Sequence, residues 1–262
     1  MSGNIQSILF VPAKAKTLAK IASSEADAYI IDLEDSIADG EKDNALSLAV
    51  DYLKACEGQT CFVRVDRRYM EAQMAALRPL AFRGFMIPKT ESCDFIDLYA
   101  DHFARREIMA LIETPLGMAK IDSIARHEKI AALAFGAEDY TAAANMQNTE
   151  ENLLPLKSRI VMFAKAYGKC VYDTPSFNIT NVACANAEAL HSASLGFDGK
   201  LAIHPGLILG IKSAFGLHDM ASVQRIVSAY ESQGEPVMLF EGKVYEKMHI
   251  DRLKRILKEN NH

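Results

Sequence analysis

The chain has 262 residues, 50% of them hydrophobic and 24% charged, an ordinary balance for a globular protein and enough chain for one large core. Its net charge is −5 with no basic stripe, which excludes nucleic acid as an expected partner. Five scattered cysteines, Cys56, Cys61, Cys93, Cys170 and Cys184, have no C-x-x-C spacing and read as reduced thiols in a cytoplasm, while no apolar run approaches the roughly 18 residues of a membrane helix and the N-terminus enters a strand-like run with no signal peptide.

In chain order, eight short apolar runs are each followed by a helical stretch. Strands are expected over 5–11, 28–33, 61–65, 84–87, 108–112, 130–135, 169–172 and 199–203. Helices are expected over 14–24, 40–55, 70–80, 91–105, 117–126, a long segment ending near 167, 182–195 and 206–215. Gly168 is placed to stop the long helix at its C′ position. The segment between 135 and the long helix is rich in small and polar residues and reads as a loop. Alternating strands and helices imply parallel pairing through right-handed crossovers, and eight units point to an α/β fold, a TIM (β/α)8 barrel over 1–216. A doubly wound sheet is the alternative, but no G-x-G-x-x-G follows the first strand. Residues 217–262 exceed what eight units need. They read as a helix near 219–233, a strand-like piece at 236–240 and a final helix from about 247, a C-terminal extension that covers the barrel or reaches a neighbouring subunit.

The run Ala110–Leu111–Ile112–Glu113–Thr114–Pro115–Leu116–Gly117 shows the recurring design. An apolar strand ends in a carboxylate, and proline, which has no N–H for the ladder, stops it. The C-terminal ends of barrel strands form the active-site face. They carry Asp32, Glu34 and Asp35, then Arg64 and Asp66, Lys89, Glu113, Glu138 and Asp139, Asp173, and His204. Several carboxylates at one mouth call for a cation, and oxygen ligands without Cys or paired His favour Mg²⁺ or Mn²⁺ over Zn²⁺. Taken singly, each of these acids is as often a helix cap or a loop ion pair. Asp35 is placed to cap the following helix, Lys89 to pair with an acid, and His204, before Pro205, to hold a loop. Arg64 lies inside an apolar strand, where an unpaired guanidinium is very costly; it faces carboxylates of the protein or of a substrate.

Leu-Phe-Val-Pro (9–12), Ile-Asp-Leu-Glu-Asp-Ser (31–36) with Glu41-Lys42, Val-Arg-Val (63–65), Pro-Lys-Thr-Glu-Ser (88–92), Leu-Ile-Glu-Thr-Pro-Leu-Gly (111–117), Phe-Gly-Ala-Glu-Asp (135–139) and Gly-Phe-Asp-Gly-Lys-Leu-Ala-Ile-His-Pro (196–205) together resemble the citrate lyase β-subunit (citryl-CoA lyase) family of the HpcH/HpaI aldolase group. The resemblance covers nearly the whole chain in order. It implies a modified TIM barrel, usually trimeric, and Mg²⁺-dependent C–C cleavage of a 3-hydroxy acyl thioester to acetyl-CoA, or its carrier-protein equivalent, and a 2-oxo acid. Carried over by position, it makes Glu113 and Asp139 the metal ligands and Arg64 the clamp on the oxo-acid carboxylate. Glu34 and Asp35 line the same pocket. Lys89 and Glu113 are expected to contact substrate, and the base is expected among Asp35, Glu34, Glu246 and a metal-bound water. Within the same resemblance, the alternatives are a malyl-CoA-type thioesterase or synthase, and a subunit of a citrate lyase complex acting on an acyl-carrier-protein thioester. The chain departs from the family pattern at Ala13, Asp66 and Leu207. Near the C-terminus, where many relatives carry an aspartate that reaches a neighbouring subunit's site, this chain has Glu246.

Overall fold

A computed structural model describes residues 5–56, 58–103, 105–216 and 220–259. The chain divides into two compact units, one ending at Ala214 and one starting at Phe215.

In the first unit, β1 (Ser7–Pro12), β2 (Ala28–Asp32), β3 (Cys61–Arg64), β4 (Gly84–Ile87), β5 (Glu107–Ile112), β6 (Ile130–Phe135), β7 (Cys170–Asp173) and β8 (Gly199–Ala202) pair in parallel and in sequence order to close a barrel. β1 completes the ring by pairing with β8. Side chains alternate along each strand. One set, Ile8, Ala28, Ile30, Phe62, Met86, Met109, Leu111, Ala132, Ala134, Tyr172 and Leu201, forms the barrel core. The other set, including Ile31, Val63, Ile108 and Val171, is equally buried. Burial on both faces is why these strands read as unbroken apolar runs. Register places Asp32 beside Arg64 on β3 and beside Pro12 on β1, and Ile112 beside Phe135.

The helices depart from expectation in physically explicable ways. The expected helix over 14–24 breaks into Ala15–Leu18 and a 3-10 turn, Ile21–Ser23. The one over 91–105 becomes Asp94–Leu98 and Ala100–Phe103, with Ala104 outside the described residues. After β5 the helix begins at Pro115, two residues before Gly117, because the Thr114 hydroxyl accepts the Gly117 N–H at 3.0 Å and caps it. The expected loop after β6 contains a helix, Ala137–Ala143. Its alanines favour helix and its first-turn acids suit the helix dipole, but it has no apolar stripe to announce it. The long helix, Glu150–Ala166, does end at Gly168, whose φ of 64° is the left-handed conformation of a C′ glycine.

The second unit contains a helix over Met220–Gln233, an antiparallel hairpin of β9 (Val237–Phe240) and β10 (Lys243–Glu246), and a helix over Lys247–Glu259. Asp219, where the sequence reading starts the first of these helices, lies outside the described residues. β10 was not expected. Its two-residue turn, Glu241-Gly242, has φ of 48° and 79°, the doubly positive pattern that matches strand twist in a tight hairpin. Within this unit, Lys254 pairs with Glu231 at 2.6 Å, and Val223, Val227, Met238 and Ile250 are buried.

Candidate active site at the C-terminal mouth of the barrel

The inward-facing alternation continues one step past the apolar core and turns polar. On β2 it runs Ala28, Ile30, Asp32. On β3 it runs Phe62, Arg64, and from β5 it runs Met109, Leu111, Glu113. The same step reaches Gly136, Thr174 and Ile203. Asp32, Arg64, Leu111, Glu113, Gly136, Thr174 and Ile203 line a cavity of about 330 Å³ together with Phe10, Pro12, Phe135, Glu138, Asp139 and Phe177.

Arg64 is the hub. Its Nε and Nη2 donate to the two oxygens of Asp32 at 2.6 and 2.8 Å, and Nη1 lies 3.1 Å from Glu34 Oε2 and 3.8 Å from Asp35. The guanidinium also lies 5.0 Å from the centre of the Phe10 ring. Burial disfavours both charges of the Arg64–Asp32 pair, but the paired hydrogen bonds outweigh it. Asp32 is held below the usual carboxylate range and Arg64 stays protonated.

The loop after β2 is strapped from behind by Lys42, which is only 3% exposed. Its ammonium donates to the carbonyls of Leu33 at 2.9 Å and Glu34 at 2.7 Å and pairs with Asp66 at 2.8 Å. Asp66 also accepts from Arg68. Burial alone would raise the Asp66 carboxyl, but its bonds from Arg68 and Lys42 hold it at about 2. Asp66 is thus a strut for the mouth. Asp35 caps no helix; the helix Lys42–Ala55 begins seven residues further on.

Glu113 is 2% exposed. Its Oε1 accepts the Lys89 backbone N–H at 2.8 Å. Lys89 can aim that N–H because its φ of 47° is left-handed, a rare state for a non-glycine residue. Its ammonium meanwhile donates to Glu34 Oε1 at 2.9 Å. Burial first, then the charges of Glu34 and Asp139, push the Glu113 carboxyl up to about 8. Burial likewise raises Glu34, with Arg64 and Lys89 pulling the other way. Gly136 leaves the room Glu113 needs. A Cβ there would stand 2.6 Å from Glu113 Cβ and 2.7 Å from Oε2.

These residues suit a hard divalent cation. Glu113 is strongly disfavoured as an anion where it stands, and Asp139, in the first turn of Ala137–Ala143, brings a second carboxylate whose field it feels. Among the described residues no three His, Cys, Asp or Glu side chains converge into a metal cage. Mg²⁺ does not need one, because it takes one or two carboxylates and leaves its remaining positions to water and substrate.

The comparisons with known proteins identify the family. The family model for HpcH/HpaI aldolase/citrate lyase matches residues 6–205. The chain belongs to this family. It is 31% identical to the citrate lyase subunit β of Haemophilus influenzae, over 96% of this chain and 95% of that one. It is 27% identical to a (3S)-malyl-CoA thioesterase of Cereibacter sphaeroides, over 94% of this chain and 90% of that one. Among solved structures, the CitE protein of Mycobacterium tuberculosis, in complex with magnesium, acetoacetate and coenzyme A, superposes with a TM-score of 0.85 at 25% identity and covers 98% of each chain.

Against the family's lyase chemistry, the strand-end residues sort into two groups. Asp32, Glu34, Asp35, Arg64, Lys89, Glu113 and Asp139 gather around the mouth, where Glu138 also lies, exposed and bonded to Asn148 at 2.6 Å. Asp173 does not join them. It points outward from β7 and is fully buried against Lys200 at 3.0 Å, Lys157 at 3.4 Å and Ser192 at 2.5 Å. His204 is exposed, and its Nδ1 accepts the Gly206 N–H at 3.1 Å, holding the turn after β8. Glu246 is exposed at the end of β10 in the second unit, with its N–H on His249 Nδ1 at 3.0 Å. The partnership of Asp32 with Arg64 and the lining roles of Phe10, Gly136 and Thr174 were not foreseen. Strand parity carries that signal: each lies two residues beyond an inward core position.

Proposed function

We propose that this chain is an Mg²⁺-dependent carbon–carbon lyase that cleaves a 3-hydroxy acyl thioester into an acetyl thioester and a 2-oxo acid. The observation that carries this reading is the pairing, at one barrel mouth, of a carboxylate-anchored guanidinium with a buried glutamate that needs a cation. Glu113 and Asp139 hold the ion. When bound, Mg²⁺ stabilises negative charge on the substrate oxygen that becomes a carbonyl.

Arg64 spends two of its five N–H groups on Asp32 and turns a third toward Glu34. The remaining two meet the carboxylate of the oxo-acid half. Asp32 fixes the plane of the fork, so this recognition is bidentate and preorganised. Glu34 is the favoured base. It stands between Arg64 and Lys89, and burial raises its proton affinity above that of an ordinary glutamate. As it removes the proton from the 3-hydroxyl, the C–C bond breaks and its electron pair passes to the α-carbon of the thioester. That enolate then takes a proton to give the acetyl thioester. Asp35 lies on the same loop, and Lys89 serves by holding Glu34 and Glu113 in place. Phe10, Phe135, Phe177 and Ile203 give the cavity apolar walls.

Residues 217–262 are proposed as an extension that serves a homo-oligomer, a trimer, with Glu246 reaching a neighbouring subunit's site. The acyl carrier is CoA or an acyl carrier protein; the CoA complex of the CitE protein supports the first. The malyl-CoA thioesterase relative supports a second reading on the same site, hydrolysis of the thioester. Product analysis separates the two. The lyase releases a 2-oxo acid and keeps the thioester, whereas hydrolysis releases free thiol and no oxo acid.

A further inference from the structure

A second cleft lies at the opposite end of the barrel, where the chain enters β4 and β5. It has a volume of about 390 Å³ and is lined by Arg78, Arg105, Arg106, His102 and Asp101 with an apolar floor that includes Leu80. Elsewhere in the chain, Arg67 and Arg159 donate to backbone carbonyls. Arg64, Arg68, Arg83, Arg126 and Arg225 each have a carboxylate partner. Among the described residues, none of the three cleft arginines has one. Arg106 donates to the carbonyls of Leu80 and Arg105 and stacks 4.6 Å from the centre of the Phe82 ring. It is therefore oriented before any ligand arrives. His102 Nδ1 is buried without a hydrogen-bond partner. Three guanidiniums against one aspartate leave a formal excess of two positive charges in the cleft. Arg106 is destabilised as a cation by burial and by Arg105, a cost that a bound anion would reverse.

We propose that this cleft binds a phosphomonoester. The charge excess equals that of the dianion, which carries about −1.5 to −2 near neutral pH. Guanidiniums bind its oxygens in pairs. The cleft exceeds the size of phosphate alone, and its Leu80 floor accepts an organic group. Nothing in this proposal depends on the reaction at the barrel mouth.

The test is calorimetric titration of the full chain with inorganic phosphate, phenyl phosphate and sulfate in chloride buffer, with the double variant Arg78→Gln/Arg105→Gln alongside. Both arginines are exposed, so the variant is expected to keep the wild-type melting temperature and circular dichroism. The expected result is saturable binding of one equivalent, tighter for phenyl phosphate than for phosphate, and at least about tenfold weaker in the variant. Absence of saturable binding, equal affinity in the variant, or sulfate binding as tightly as phenyl phosphate would each overturn the proposal. Should the variant melt early, Arg78→Lys and Arg105→Lys replace it. They keep the charge and lose the fork, and undiminished binding of phenyl phosphate in them overturns the assignment equally.

Discussion

Glu113 concentrates the chemistry into one side chain. With its carboxyl at about 8, the folded metal-free protein holds a proton there that the unfolded chain, with an ordinary glutamate near 4.3, has released. Between those two values the native state binds more protons, so this group's contribution makes stability fall as pH rises through the window. Metal binding needs the carboxylate and expels that proton. Mg²⁺ affinity is therefore predicted to rise about tenfold per pH unit up to about 8 and then level off. Calorimetry from pH 6 to 9 in two buffers of different ionisation enthalpy checks this, and a flat profile would contradict it. Glu113→Gln keeps the shape and loses the charge, and is expected to weaken Mg²⁺ by about 100-fold or more and to lower turnover by orders of magnitude. Lys89 offers a backbone test. Lys89→Gly keeps the N–H and relieves the left-handed strain, so Mg²⁺ affinity should stay near wild type while turnover falls with the grip on Glu34. Lys89→Val adds strain of about 1–3 kcal/mol and should lose both.

At the scale of the elements, strand parity decides what reaches the mouth. Asp32, Arg64, Glu113 and Thr174 are each two residues beyond an inward core residue, while Asp173, one residue out of phase, is buried on the outer side of β7 with Lys157 and Lys200. Both groups sit at strand ends, so position along the sequence alone did not separate them; the alternation did. The strands were legible because burial on both faces makes them apolar throughout. The helix Ala137–Ala143 and the strand β10 were not legible. The first has no apolar stripe, and the second depends on a tight turn through Glu241 and Gly242. Two substitutions probe how elements support the site. Gly136→Ala places a methyl 2.6 Å from the Cβ of buried Glu113, so it should weaken Mg²⁺ and also lower the melting temperature, by the cost of overpacking rather than of backbone strain, since the Gly136 φ of −105° suits alanine. Lys42→Met leaves Asp66 and two loop carbonyls without their ammonium and should cost about 3–5 kcal/mol of stability, read by denaturant unfolding.

For the whole molecule, the barrel supplies a rigid ring whose one end collects the acids, Arg64 and the apolar walls. This is the arrangement by which the (β/α)8 fold supports many reactions. Family membership and the barrel could be anticipated from motifs spread along the chain. The acyl group could not, because it depends on the shape of loops that no periodicity describes. The contribution of residues 217–262 is tested by sedimentation of the intact chain, where a trimer is expected. The most direct measurement is product analysis on the purified chain with citryl-CoA, malyl-CoA and citramalyl-CoA, in Mg²⁺ and in EDTA. The predicted result is release of a 2-oxo acid together with acetyl-CoA from at least one of them, in Mg²⁺ only. Release of free CoA with no 2-oxo acid, or cleavage undiminished by EDTA, would contradict the proposed lyase.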